Sequence, residues 1–204
     1  MSSVPAGETA PARAGTIAAR LAGFAGSLDL ASVPPAAIEH ARLCILDAIG
    51  IALASNTYSF AERSLAGIRA LGGAGAHTVI GQPWRLPLRD AVLANGTLVH
   101  GLDFDDTHSA SVLHATASAL PTVLGVSEHE GSDGAALLAA YLVAIETDAR
   151  IGAAGRGQFQ VRGFHPTGLI GAFGATLAAG RLQGLTAAEL EHAQGIVLSM
   201  ASGN

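Results

Sequence analysis

The sequence predicts an all-α protein, and three observations carry that prediction. Apolar residues recur near every 3.6 positions along most of the 204 residues. Aromatic residues are only 4% of a chain that is 50% hydrophobic, so Ala and Gly supply much of the bulk, which suits close helix–helix packing. A single short run, His77–Ile80 (HTVI), reads as β and is expected to be an extended loop or a lone edge strand. There is no βαβ alternation and no strand-preceded glycine fingerprint, so Rossmann and P-loop architectures are unsupported.

Taken in order, residues 1–15 read as a disordered lead-in without a signal-peptide pattern, and 16–204 as one helical domain. Residues 15–30 carry helical spacing. Pro34-Pro35 opens a second helix, where the missing N–H costs nothing. A third runs from about Ser59 to Ala70 and is broken by Gly72-Gly73. Pro87 starts a fourth, and Ala117–His129 forms a fifth. Ser132-Asp133-Gly134 caps a long sixth. Residues 152–163 read as a polar loop. His165-Pro166-Thr167 then leads into a Gly/Ala-rich helix whose Gly168, Gly171 and Gly174 permit close backbone approach. Thr186 and Glu189 form a capping box for the last helix.

Composition removes several function classes. A net charge of −5 leaves no basic footprint for nucleic acid. No apolar run has the length and flanks of a membrane anchor. Cys44 is the only cysteine, which excludes an intramolecular disulfide and suits a reducing, cytoplasmic compartment. Its apolar surroundings predict a buried structural thiol. All eleven basic residues are Arg. Without lysine, this sequence offers no Schiff base and no Lys acid or base.

The chemistry concentrates between Asn95 and Pro121. Asp103, Asp105, Asp106, Thr107, His108 and His114 crowd together between small apolar flanks, and each desolvated charge there needs a partner. A helix continuing from Leu88 through Thr107 would stack His100, Asp103 and Thr107 on one face and turn Asp105 and Asp106 away. The following loop would return His114 over that face. Three readings follow. Mg²⁺ on Asp-x-Asp-Asp lacks a second acidic cluster. The phosphatase motif Asp-x-Asp-x-Thr belongs at the end of a buried strand and needs a later Asp pair. Metal-free acid/base work on a carboxylic acid is the third: Asp103, His114 and His165 move protons, and Arg156 or Arg162 pairs a substrate carboxylate bidentately. His165 as a plain turn residue and Arg162 as a solvated charge are the competing structural explanations.

The stretch NGTLVHGLDFDDTH, the following His114, and GFHPTGLIGAFGATLAAGRLQGL together resemble the MmgE/PrpD family. That family includes 2-methylcitrate dehydratases, cis-aconitate decarboxylases and an iminodisuccinate epimerase. The similarity runs from about Thr16 to the end, through ILDAIGIALAS, HTVIGQP and IETDARIG. It implies a helical domain joined to a smaller α+β lid, a homodimer, no cofactor, no metal, and lyase or isomerase chemistry on small polycarboxylates such as 2-methylcitrate. Asp103, Thr107, His114 and His165 match the family's catalytic positions, with His100, Arg156 and Arg162 as candidate substrate-binding residues. Where the family commonly has His-Pro, this chain has His114-Ala115. The sequence stops before the family's active-site lysine and lid, so it is expected to be the N-terminal portion of a member. That leaves two expectations: an incomplete enzyme, complemented by a separately encoded C-terminal half, or an inactive helical dimerisation module.

Overall fold

In the computed structural model, residues 15–202 are described; the expected lead-in over 1–15 lies outside them except for Gly15. The described residues form nine α-helices and a two-stranded ribbon, so the all-α reading holds. The helices are α1 (Ile17–Ser27), α2 (Pro35–Ser55), α3 (Ser59–Gly72), α4 (Leu88–His100), α5 (Thr116–Glu130), α6 (Gly134–Gly155), α7 (Gln158–Val161), α8 (Pro166–Leu182) and α9 (Ala187–Leu198). Strands β1 (His77–Thr78) and β2 (Arg85–Leu86) lie between α3 and α4.

Caps set most boundaries. Thr16 accepts from the Ala19 N–H at the start of α1, and Asp133 from the Ala136 N–H at the start of α6. Proline opens α2 and α8, where no backbone bond is lost. The Thr186–Glu189 capping box forms as expected. No described helix is long and apolar enough to cross a membrane.

Three expectations need correcting here. HTVI is not a lone strand: His77 pairs with Leu86 and Thr78 with Arg85, antiparallel. The partner was hidden because a two-residue strand has no period to read. Side chains hold the ribbon in place. Buried Asn95 accepts from the Ile80 N–H at 2.8 Å and donates to the Thr78 carbonyl at 2.9 Å. Glu128 takes the Thr78 N–H and hydroxyl and pairs with Arg85. Burial alone would raise Glu128, but those donors outweigh it and hold the carboxyl below its usual range. The expected loop 152–163 also contains structure: α6 runs on to Gly155 and α7 follows. Cys44 is only half-buried, with Sγ 3.6 Å from His40 Nε2.

The main core gathers Leu86, Leu98, Leu120, Val123 and Tyr141 between α2, α3, α4, α5 and α6. Each such side chain contributes about 1.5–3 kcal/mol on burial. A smaller core, with Ala22, Ala25, Val143, Leu177 and Leu190, packs α1 and α9 on α8. Helix α8 lies against α5 and α6, and two glycines make that approach close. A Cβ on Gly171 would stand 2.5 Å from Ser118 Oγ, and one on Gly174 2.5 Å from Asp148 Oδ1. This packing puts the N-terminus of α8 beside the start of α5 and the end of α4.

Candidate active site

Helix α4 ends at His100. The Gly101 N–H bonds back to the Thr97 carbonyl, and Asp103 adopts a left-handed φ of 51°. The predicted continuation through Thr107 is therefore wrong. An unbroken helix would expose Asp105; the turn instead swings it inward, where no side-chain surface reaches solvent. The single-face stack of His100, Asp103 and Thr107 does not exist, and Asp105 takes the central place.

His100 Nδ1 lies 3.0 Å from Asp105 Oδ1 and 3.3 Å from Oδ2. His114 Nδ1 lies 3.5 Å from the same Oδ1 and 3.2 Å from the Asp105 backbone carbonyl. A carbonyl only accepts, so Nδ1 of His114 carries the proton in the neutral ring. Its Nε2 faces Asp103 Oδ1 at 3.5 Å, and the Asp103 side chain is 81% exposed. Thr107 Oγ1 is 3.4 Å from His114 Nδ1. The His100 ring centre is 5.1 Å from that of His114 and 5.7 Å from that of His165. Asp103, Thr107, His114, His165 and His100 thus lie around one place. The loop carrying His114 does fold back, closed by a bridge between His108 and Leu113.

Several supports fix this arrangement. The His114 N–H donates to Thr167 Oγ1 at 3.0 Å, tying the loop to α8. His165 caps α8, its Nδ1 accepting from the Gly168 N–H at 3.4 Å, so it is both the turn residue before Pro166 and a neighbour of His100. Asp106 accepts from the Thr116 N–H at 3.1 Å, and Thr116 Oγ1 meets Tyr141 Oη at 2.6 Å inside the core.

The hydrogen bond to Asp105 raises the pKa of His100 above its usual 6.5, against burial, which lowers it. Burial lifts Asp106 above the ordinary carboxylate range, with the Thr116 N–H offsetting part of the effect. Arg156 and Arg162 are exposed, and no ion pair among the described residues ties either to the cluster. A groove of about 360 Å³ runs from His100 between α4, α5 and α8, walled largely by small residues such as Gly96, Gly171 and Ala172. A larger cavity of about 650 Å³ between α1 and α6 is lined mainly by apolar groups and holds none of the cluster's imidazoles.

Asp105, Thr167 and Tyr141 are the members that sequence reasoning missed. Gly101 as a helix stop was the available signal for Asp105. Nothing local marks Thr167 or Tyr141, whose partners are distant in sequence.

Asp103 follows a helix rather than a buried strand, which removes the setting the phosphatase motif requires. The profile of the MmgE/PrpD N-terminal domain matches residues 19–204. A cis-aconitate decarboxylase-like protein of Aspergillus oryzae is 29% identical over 197 residues, covering 93% of this chain and 41% of that protein. A cis-aconitate decarboxylase of Aspergillus terreus is 30% identical over 193 residues, 92% of this chain and 39% of its own length. The human cis-aconitate decarboxylase is 30% identical over 171 residues, with 80% and 35% covered. The chain thus spans about two fifths of the length of the fungal relatives. With a helical fold, a histidine–aspartate cluster at the signature segment and a match across nearly all its residues, this chain belongs to the MmgE/PrpD family, within that family's N-terminal domain.

Proposed function

We propose that the cluster performs metal-independent acid/base chemistry of the lyase type on a small polycarboxylate. One observation carries the reading: a fully buried carboxylate, Asp105, faces the Nδ1 atoms of two imidazoles, with a third ring beside them. Asp105 orients His100 and favours its cationic form, which suits a proton donor and offsets substrate charge. His114, with its proton on Nδ1, turns the Nε2 lone pair outward as a base.

In a dehydration, the base takes the proton from the carbon α to a carboxylate, and the acid protonates the departing hydroxyl, released as water. In a decarboxylation, the C–C bond breaks, carbon dioxide leaves, and the acid protonates the carbon that keeps the electron pair. The same groups serve both. Arg162, close before His165 in sequence, and Arg156 are the candidate carboxylate partners. The relatives' names point to cis-aconitate, and the family resemblance adds 2-methylcitrate; both are tricarboxylates. Binding is the test. Adding either compound to the chain should shift the ¹H–¹³C NMR signals of His100, His114 and His165 together, and saturating ligand that moves none of them would sink the reading. Turnover is then sought with a co-expressed C-terminal half of a family member.

A second reading, self-association, has its own observation. On α2, Leu43, Leu46 and Leu53 are all at least half exposed, and a Cβ on Gly50 would meet nothing within 4 Å. These positions are symmetric about Ala48, so an antiparallel two-fold pairing sets Leu43 against Leu53 and Leu46 against Gly50 of the second copy. We propose this face as the homodimer contact. Sedimentation should show a dimer that Leu46→Glu converts to monomer; an unchanged dimer would exclude α2.

A further inference from the structure

We infer that His100, Asp105 and His114 form a binding site for one divalent transition-metal ion of the zinc class. Each residue offers one ligand atom, and the three atoms lie within 4.8 Å of one another. His100 Nδ1 and His114 Nδ1 stand 3.0 and 3.5 Å from Asp105 Oδ1. Ligand atoms around a tetrahedral zinc ion are roughly 3.4 Å apart, given metal–ligand bonds of about 2.0–2.2 Å. The two distances to Asp105 bracket that spacing.

Three further features favour such an ion. The ligand atoms are preorganised: Asp105 is buried, His100 sits on the last turn of α4, and His114 is anchored through its N–H to Thr167. A carboxylate already stands behind one ligand. When His114 Nδ1 turns to the metal, its proton moves to Nε2, which lies 3.5 Å from Asp103 Oδ1, the carboxylate–histidine–metal arrangement that orients ligating imidazoles. The fourth position has candidates in the Thr107 hydroxyl, 3.4 Å from His114 Nδ1, or a water molecule. Two imidazoles and one carboxylate select Zn²⁺, Co²⁺, Ni²⁺ or Cu²⁺ over Mg²⁺ or Ca²⁺, which prefer oxygen.

The other histidine pair competes poorly. His77 Nε2 and His129 Nδ1 are 3.2 Å apart, but the neighbouring Glu128 is committed to Thr78 and Arg85. Binding of the ion follows from geometry alone. Its consequence rests on the acid/base reading above: an ion on the two Nδ1 atoms leaves the His114 proton on Nε2, which then cannot serve as the base, so the ion inhibits.

The experiment is titration of the full, tag-free chain with Zn²⁺ by calorimetry and with Co²⁺ by visible absorption. One ion per chain is expected. His100→Ala and His114→Ala should each weaken binding by at least ~10–100-fold, by the scale of lost metal-site contacts. His77→Ala should leave affinity unchanged, and circular dichroism checks that each variant is folded. No saturable binding below about 1 mM overturns the inference. So does binding that survives His100→Ala and His114→Ala, or that disappears in His77→Ala. A chain that binds the ion but shows no histidine shifts with tricarboxylates keeps this site and loses the proposed function. The reverse result keeps the function and removes the site.

Discussion

His100 Nδ1 stands 3.0 Å from Oδ1 of Asp105, a carboxylate with no solvent-exposed side-chain surface, and the pair joins the end of α4 to the loop that follows it. The contact raises the pKa of His100, so the folded chain holds that proton more tightly than the unfolded chain. Its stabilising contribution is complete below the unfolded value of 6.5 and is lost as pH rises through the folded value. Urea unfolding of wild type and His100→Gln at acid and alkaline pH should differ more on the acid side. A gap that widens toward alkaline pH would reverse the assignment. In parallel, Asp105→Asn should bring the NMR-measured pKa of His100 down.

How much of this site the sequence displays depends on what each residue needs. Helix starts were legible because Pro35, Asp133, Pro166 and Thr186 act locally. The convergence of His114 and His165 on the acidic cluster was expected from the family resemblance and the returning loop. The interior place of Asp105 was not legible, because helical spacing carried past Gly101 assigns it the opposite direction. Asn95 was invisible for another reason. It opens the chemically dense stretch, yet it serves β1, whose pairing spans residues 77–86 and leaves no periodic trace.

Asp148 should make the fold less stable as pH rises. Its carboxyl is buried between α6 and α8, accepts one bond from the Gly174 N–H at 2.9 Å, and leaves Oδ2 unpartnered. Burial pushes its pKa well above the usual 3.8, so the folded chain keeps a proton that the unfolded chain releases. Folding stability therefore declines as pH climbs from 3.8 toward the folded value. Asp148→Asn keeps an acceptor for Gly174 and removes the ionisation. Its melting temperature should exceed wild type at neutral pH and lose that advantage in acid; equal differences at both pH values would count against the assignment.

The α6–α8 contact also sets a packing test. An added methyl at Gly174 meets Asp148 Oδ1 and Cγ at 2.5 and 2.6 Å, so Gly174→Ala should destabilise by about 1–3 kcal/mol. A methyl added at Gly195, inside α9, would meet nothing within 4 Å, and Gly195→Ala should stabilise by roughly 0.5–1 kcal/mol. Chemical denaturation of the two variants measures both signs. A neutral Gly174→Ala would mean that the helices are not held this closely.

The chain by itself should not turn over cis-aconitate or 2-methylcitrate. Lyase chemistry on a tricarboxylate must offset several negative charges while a further one develops, and losing one preorganised donor typically costs ~10²–10³ in rate. The cluster supplies imidazoles and no lysine. A guanidinium is a poor proton shuttle, and Arg156 and Arg162 are both exposed. Solvent also reaches the reacting face: Asp103 has an 81% exposed side chain, and Thr107 and His165 are exposed as well. Charges acting through water lose much of the strength they have in a dry site. Purified chain should therefore give product no faster than buffer, while its histidines still respond to the ligand. Reproducible turnover that disappears in Asp103→Asn or His114→Ala would show that these imidazoles and carboxylates suffice as they stand.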